Sequence, residues 1–306
     1  EVLGEGLVQA TRLGANPFQF GLIGATDTHL GAPGKVDEDR FQGHAAGTVD
    51  ARFEIPPYPD RADFNPGGLG VFWAEENSRD ALFAAMRRRE AYGTSGPRMT
   101  VRFFGGWDYP PDLCQDSSFV ATGYSQGVPM GGELPRNTQD GPPLFAVSAL
   151  RDPGGNGSPS HPLERIQIIK GWVEDGEAQE KVYEVAGSAS DENALDLNTC
   201  ISTARGNDQL CRVWKDPDFD PESPAFYYAR VLEVPSCRWN RFVCNARNVD
   251  CSAPESVPDD LTQCCDPEIP NTIRERAWTS PIWYTPLAEL QSQPLSSENL
   301  RGLASE

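Results

Sequence analysis

Histidine is scarce in this chain: His29, His44 and His161 are the three among 306 residues. A two- or three-metal site cannot be completed from that inventory without unusual substitution. Long apolar runs are missing too. None approaches the roughly 18 residues that span a bilayer, and the longest, Leu144–Leu150, contains a serine. Positive charge is short, with 26 Lys and Arg against 45 Asp and Glu and a net charge of −19. Such a field repels phosphate backbones and anionic lipid surfaces, which counts against nucleic-acid and membrane partners. No Ser-His-Asp arrangement, C-x-x-C motif or internal repeat is present. What the chain has in quantity is turn chemistry, 29 glycines and 27 prolines, which argues against an all-helical bundle.

Cysteine is unevenly spread. Of the eight, seven fall between Cys200 and Cys265, a segment without histidine. An even number in loop-rich sequence points to disulfides and an oxidising, periplasmic or extracellular compartment. A cysteine-only zinc site is the alternative, but the two tight C-x2-C pairs of a zinc ribbon are absent. The pairing stays open. The chain starts at Glu1, without Met or a visible signal peptide.

Leu7, Val8, Thr11 and Leu13 make a helical stripe over Glu5–Gly14, with Gly14 as the stop. Phe18–Ala25 is an apolar run of strand length, interrupted at Gln19, and is read as a strand buried on both faces in a parallel sheet. It ends in Thr26-Asp27-Thr28-His29. Residues 30 to 66 form a long Gly/Pro/Asp/Arg-rich excursion, Val71–Trp73 is a short strand, and a helix capped by Asn77 or Ser78 runs to Arg89. These make a β/α pattern over residues 1–98. Beyond Pro97, strand-like runs at Met99–Phe104, Leu144–Leu150, Leu163–Trp172, Gln179–Val185, Phe226–Val234 and Ala277–Tyr284 predict an antiparallel sandwich over 99–286. Residues 287–306 read as a polar tail.

Asp27 and His29 carry the clearest chemistry. In an extended tripeptide, residues i and i+2 project to one side, so a carboxylate oxygen and an imidazole nitrogen can meet one metal ion. The bland alternative is an Asp capping the next turn beside a hydrogen-bonded His. The string Gly21-Leu22-Ile23-Gly24-Ala25-Thr26-Asp27-Thr28-His29-Leu30-Gly31 resembles the last metal motif of the DUF3604 family, which is itself similar to PHP-type (polymerase and histidinol phosphatase) metal-dependent hydrolases. Further matches follow in family order: Trp73-Ala74-Glu75-Glu76-Asn77, Tyr92-Gly93-Thr94-Ser95-Gly96-Pro97-Arg98, Val101 to Trp107, Ile168 to Trp172 and Ala277 to Trp283.

The resemblance implies an α/β plus β architecture: the C-terminal part of a PHP-like distorted β/α barrel, then an antiparallel β-sandwich-like region. It implies divalent metal (Zn, Mn or Fe) on Asp27 and His29. PHP proteins open with an H-x-H strand, which is absent before Asp27. The expectation is therefore that a missing N-terminal half of the same protein supplies the other ligands.

Glu75, at a strand end before a capped helix, is a candidate base or ligand, against a plain first-turn acid. Arg98 is a candidate grip for a small anionic substrate, against a surface turn residue. His44 reads as a solvated loop residue and His161 as no ligand. Trp107, Trp172, Trp278 and Trp283 read as sandwich core. Asp216-x-Asp218-x-Asp220 lacks the Gly and Glu of an EF-hand. The leading expectation is a metal-dependent phosphoesterase, secreted or periplasmic. The competing one is a non-catalytic ligand-binding or structural sandwich with a vestigial barrel.

Overall fold

The computed structural model describes residues 1–44, 60–61, 63–137, 141–155 and 160–286. The tail at 287–306 and the centre of the 30–66 excursion lie outside the described residues.

Helix α1 (Val2–Leu13) ends at Gly14, whose φ of 75° is the left-handed stop the sequence predicts. Strand β1 (Leu69–Phe72), helix α2 (Arg79–Arg88) and strand β2 (Ala91–Thr94) follow. The Ser78 hydroxyl caps α2 by accepting from the Ala81 N–H. Next come β3 (Thr100–Gly106), α3 (Phe119–Gln126), β4 (Gly127–Pro129), β5 (Glu133–Leu134) and β6 (Leu144–Leu150). The long hairpin β7 (Leu163–Glu174) and β8 (Glu177–Gly187) precedes short β9 (Leu195–Asp196), β10 (Ile201–Ser202) and β11 (Gln209–Lys215). The chain ends with β12 (Ala225–Glu233), β13 (Ser236–Cys237), α4 (Trp239–Ala246), β14 (Thr272–Ile273), β15 (Arg276–Thr279) and β16 (Ile282–Tyr284).

Strand β12 organises the larger sheet. One edge pairs along its length with β7, which pairs with β8; the other meets β15 and then β16. Through β15 the sheet continues to β2 and β1, and through β16 to β5. The smaller sheet runs β11-β6-β3-β4. Pairing is antiparallel except between β16 and β5, and neither sheet closes into a barrel among the described residues. Alternation along β12 sends Tyr227, Ala229 and Val231 inward against Phe103 of β3 and Phe145 and Val147 of β6. Phe226 faces outward and packs with Leu7 of α1 and Trp283. Trp107 and Trp172 border the central core.

Several elements differ from the sequence pattern. Phe18–Ala25 belongs to no strand. It lies across the antiparallel β1–β2 pair in glycine-mediated contact: a Cβ on Gly24 would stand 2.6 Å from the Thr94 carbonyl oxygen, and one on Gly93 2.5 Å from the Gly24 nitrogen. The alternating backbone contact leaves Phe20 41% and Ile23 61% exposed. β1 and β2 pair antiparallel, not parallel. The Ala277–Tyr284 run is two strands, because Pro281 has no N–H to continue the ladder. β11, α3 and α4 were not signalled by apolar periodicity.

The eight cysteines form four disulfides, Cys114–Cys211, Cys200–Cys237, Cys244–Cys264 and Cys251–Cys265. No free cysteine is left for zinc. They suggest an oxidising environment. Among the described residues no helix is long and apolar enough to cross a membrane. Cys244 and Cys264 belong to a satellite core with Phe41, Trp239 and Leu261, which anchors the early excursion to the late cysteine-rich segment.

Candidate functional site

Three short segments meet where this satellite core abuts the sandwich. The turn after β2 brings Gly96 to Arg98, the end of β6 brings Asp152, and the excursion brings Val36 to Asp39. With Glu233, Glu275, His161, Phe242 and the Cys200–Cys237 disulfide they line a cleft of about 450 Å³, within the size range of small-molecule sites.

Its floor is acidic by register. Leu232 pairs with Arg276 across β12 and β15, so the next residue, Glu233, comes opposite Glu275. The Glu233 N–H donates to the Glu275 carbonyl at 2.9 Å. Glu233 is 1% and Glu275 5% exposed. The Ser95 hydroxyl donates to Glu275 Oε2 and accepts the Arg276 N–H at 2.8 Å. Glu38 approaches from the excursion, its Oε2 accepting the Trp239 N–H at 2.5 Å. Asp152 caps the turns above it, taking the Arg98 N–H at 2.6 Å and the Gly154 N–H at 2.7 Å.

Burial, with the charges of Glu275 and Asp152 beside it, pushes the Glu233 carboxyl up to about 9. Burial also raises Glu38, with Glu275 adding to the effect, and raises Glu275 against the opposing pull of Ser95 and Arg276. Glu233 Oε1 and Glu38 Oε1 are buried without a hydrogen-bond partner. His161 is held below its ordinary range by burial.

The four residues singled out in the sequence do not share a cavity. Asp27 and His29 are both exposed. Asp27 has a φ of 51°, so the tripeptide is not the extended one that would align residues i and i+2. The His29 N–H donates to the His44 carbonyl at 2.6 Å. Glu75 lies on a second cleft with Trp73, Arg88 and Tyr124 and pairs with Arg88 at 3.4 Å. Arg98 is exposed on the rim of the acidic cleft. His44 is not a solvated loop residue: its Nδ1 is 2.7 Å from Asp60 Oδ2, and its ring packs edge-on to Phe41 and Phe64. No group of three or more His, Cys, Asp or Glu that could hold one metal ion occurs among the described residues.

Sequence reasoning missed Glu38, Glu233 and Glu275. The available signal was Glu233 itself, a carboxylate closing the apolar strand Ala225–Glu233.

A family model described as "Protein of unknown function (DUF3604)" matches residues 1–286. No curated protein and no solved structure matches the chain.

Proposed function

Because the chain belongs to the DUF3604 family, we propose that it is part of a secreted or periplasmic metal-dependent hydrolase of phosphate esters, with Asp27 and His29 as ligands of a divalent ion. The observation that carries this reading is the condition of those two side chains. Both are exposed, and neither has a hydrogen-bond or ion-pair partner among the described residues. A left-handed φ at a non-glycine residue such as Asp27 is also the kind of local cost that collects at functional sites.

Their donor types, one carboxylate oxygen and one imidazole nitrogen, suit Zn, Mn or Fe. Two donors are fewer than the three protein ligands of even an open catalytic zinc site, so the pair fits as part of a set. The remaining ligands would come from polypeptide outside these 306 residues. Exposed Phe20 and Ile23 and the terminal place of β1 in its sheet among the described residues support a covering segment there. A divalent ion held there would bring a bound water toward neutral pKa and offset charge developing on phosphorus. Arg98 sits among carboxylates that would compete with an anionic substrate, and Glu75 is paired with Arg88, so neither is assigned a step.

A second reading, a non-catalytic binding module, is favoured by the acidic cleft at the end of the sandwich, which neither Asp27 nor His29 lines.

The test is a phosphomonoester and phosphodiester screen with Zn, Mn and Fe on the product of the complete reading frame, repeated on Asp27→Asn and His29→Asn. Turnover that falls by roughly a hundredfold or more in both variants supports the hydrolase. Turnover unchanged in both removes these residues from the chemistry.

A further inference from the structure

Glu233 and Glu275 stand opposite one another on neighbouring strands, where two ionised carboxylates would repel each other. Among the described residues no Lys or Arg is hydrogen-bonded to either carboxyl group. Glu233 and Glu38 line the cleft, and the Oε1 of each is buried and accepts no hydrogen bond. A buried acceptor without a donor costs about 1–3 kcal/mol, more when charged. The cleft supplies the acceptors; a ligand would supply the donors.

We propose that the cleft between the sandwich and the cysteine-rich satellite binds a small organic cation through an ammonium group seated between Glu233, Glu275 and Glu38.

An ammonium offers three N–H donors and a positive charge to the three carboxyl groups, which do not form a metal-holding group among the described residues. The space, about 450 Å³, exceeds what a bare ion fills. Phe242 and the Cys200–Cys237 disulfide give the wall an apolar side for an alkyl chain. The overall charge of −19 attracts cations from a distance. This site is separate from Asp27 and His29 and stands or falls without them.

Binding also has a proton signature. The groups facing Glu233 are Glu275, Asp152 and Arg151, and Glu233 carries its proton at neutral pH. An arriving ammonium displaces it, so a proton is released to solvent as the ion pair forms.

The experiment is isothermal titration of the disulfide-intact chain with 1,5-diaminopentane and with spermidine, in two buffers of different ionisation enthalpy. Saturable binding with proton release is expected. Glu233→Gln, which keeps the shape of the neutral acid, should weaken binding by roughly tenfold or more, the scale of a charge-assisted hydrogen bond, and reduce the proton release. Glu255→Gln, an exposed acid away from the cleft, should change neither. Binding that is equally weak in all three proteins, or absent, overturns the proposal. So does Ca²⁺ or Mg²⁺ alone binding saturably and excluding both amines.

Discussion

The Ser95 hydroxyl donates to the Glu275 carboxylate across 180 residues of sequence, joining the turn after β2 to the strand that completes the same sheet. The oxygen of Ser95 also takes the Arg276 N–H. Ser95→Ala leaves a buried carboxylate oxygen and a backbone donor without their partner, at a cost of about 1–3 kcal/mol. Urea unfolding followed by tryptophan fluorescence should show a lower midpoint with an unchanged slope.

Stability should fall as pH rises. A carboxyl raised from its ordinary 4.5 to about 9 in the folded protein binds its proton more tightly folded than unfolded. Its contribution is complete below the unfolded value and is lost as pH climbs toward the folded one. Between about pH 5 and 9 Glu233 alone contributes a downward slope of at most about 1.4 kcal/mol per pH unit, and Glu38 and Glu275 act in the same direction. Melting temperatures across this range should decline, and Glu233→Gln should flatten the decline. A profile identical in the variant would contradict the assignment of that slope to Glu233.

The Cys114–Cys211 disulfide closes the longest loop, with a sequence separation of 97. It ties the segment before α3 to β11 at the edge of the smaller sheet. Loop-closure entropy ranks it above the 14-residue separation of Cys251–Cys265. Replacing both cysteines by serine should cost about 2–5 kcal/mol, measured by urea unfolding beside the equivalent Cys251/Cys265 double variant, which should lose less.

Lys170 and Asp216 form a buried ion pair at 2.8 Å, with the Tyr227 hydroxyl donating to the same carboxylate at 2.7 Å. The Asp216-x-Asp218-x-Asp220 pattern, which mimics a calcium loop, is thus taken up by internal partners: Asp218 accepts from Lys181 and Tyr183. Asp216→Ala strands a buried ammonium and should cost about 3–5 kcal/mol. Calcium should leave the melting temperature unchanged in wild type and variant alike.

The sandwich was legible because its strands carry their own signal. Leu144–Leu150 is an apolar run with the bounds of β6, and β7, β8 and β12 end within a few residues of turn chemistry. Ser78 and Gly14 marked helix ends through local hydrogen bonding and φ. Phe18–Ala25 misled because an apolar run of strand length says nothing about whether a partner strand exists. Here glycines press it against the face of the β1–β2 pair instead. β11 was invisible because Gln209–Lys215 mixes charged and apolar residues at an edge, and its place is fixed by pairing with β6 and by Cys211.

The acidic cleft is a product of topology. Glu38, Glu233 and Glu275 are far apart in sequence and meet only because β12 and β15 are neighbours and the satellite core folds Val36–Asp39 over their ends. Asp27 and His29, by contrast, were found from a contiguous string, and the structure leaves both side chains open.

The decisive measurement is metal content by plasma mass spectrometry on the product of the complete reading frame, purified without chelators, beside Asp27→Ala and His29→Ala. Bound divalent metal in the wild type, reduced by about one ion per chain in each folded variant, is the expected result. Equal metal in all three proteins, or none in the wild type after reconstitution with Zn, Mn and Fe, would contradict the assignment of Asp27 and His29 as ligands.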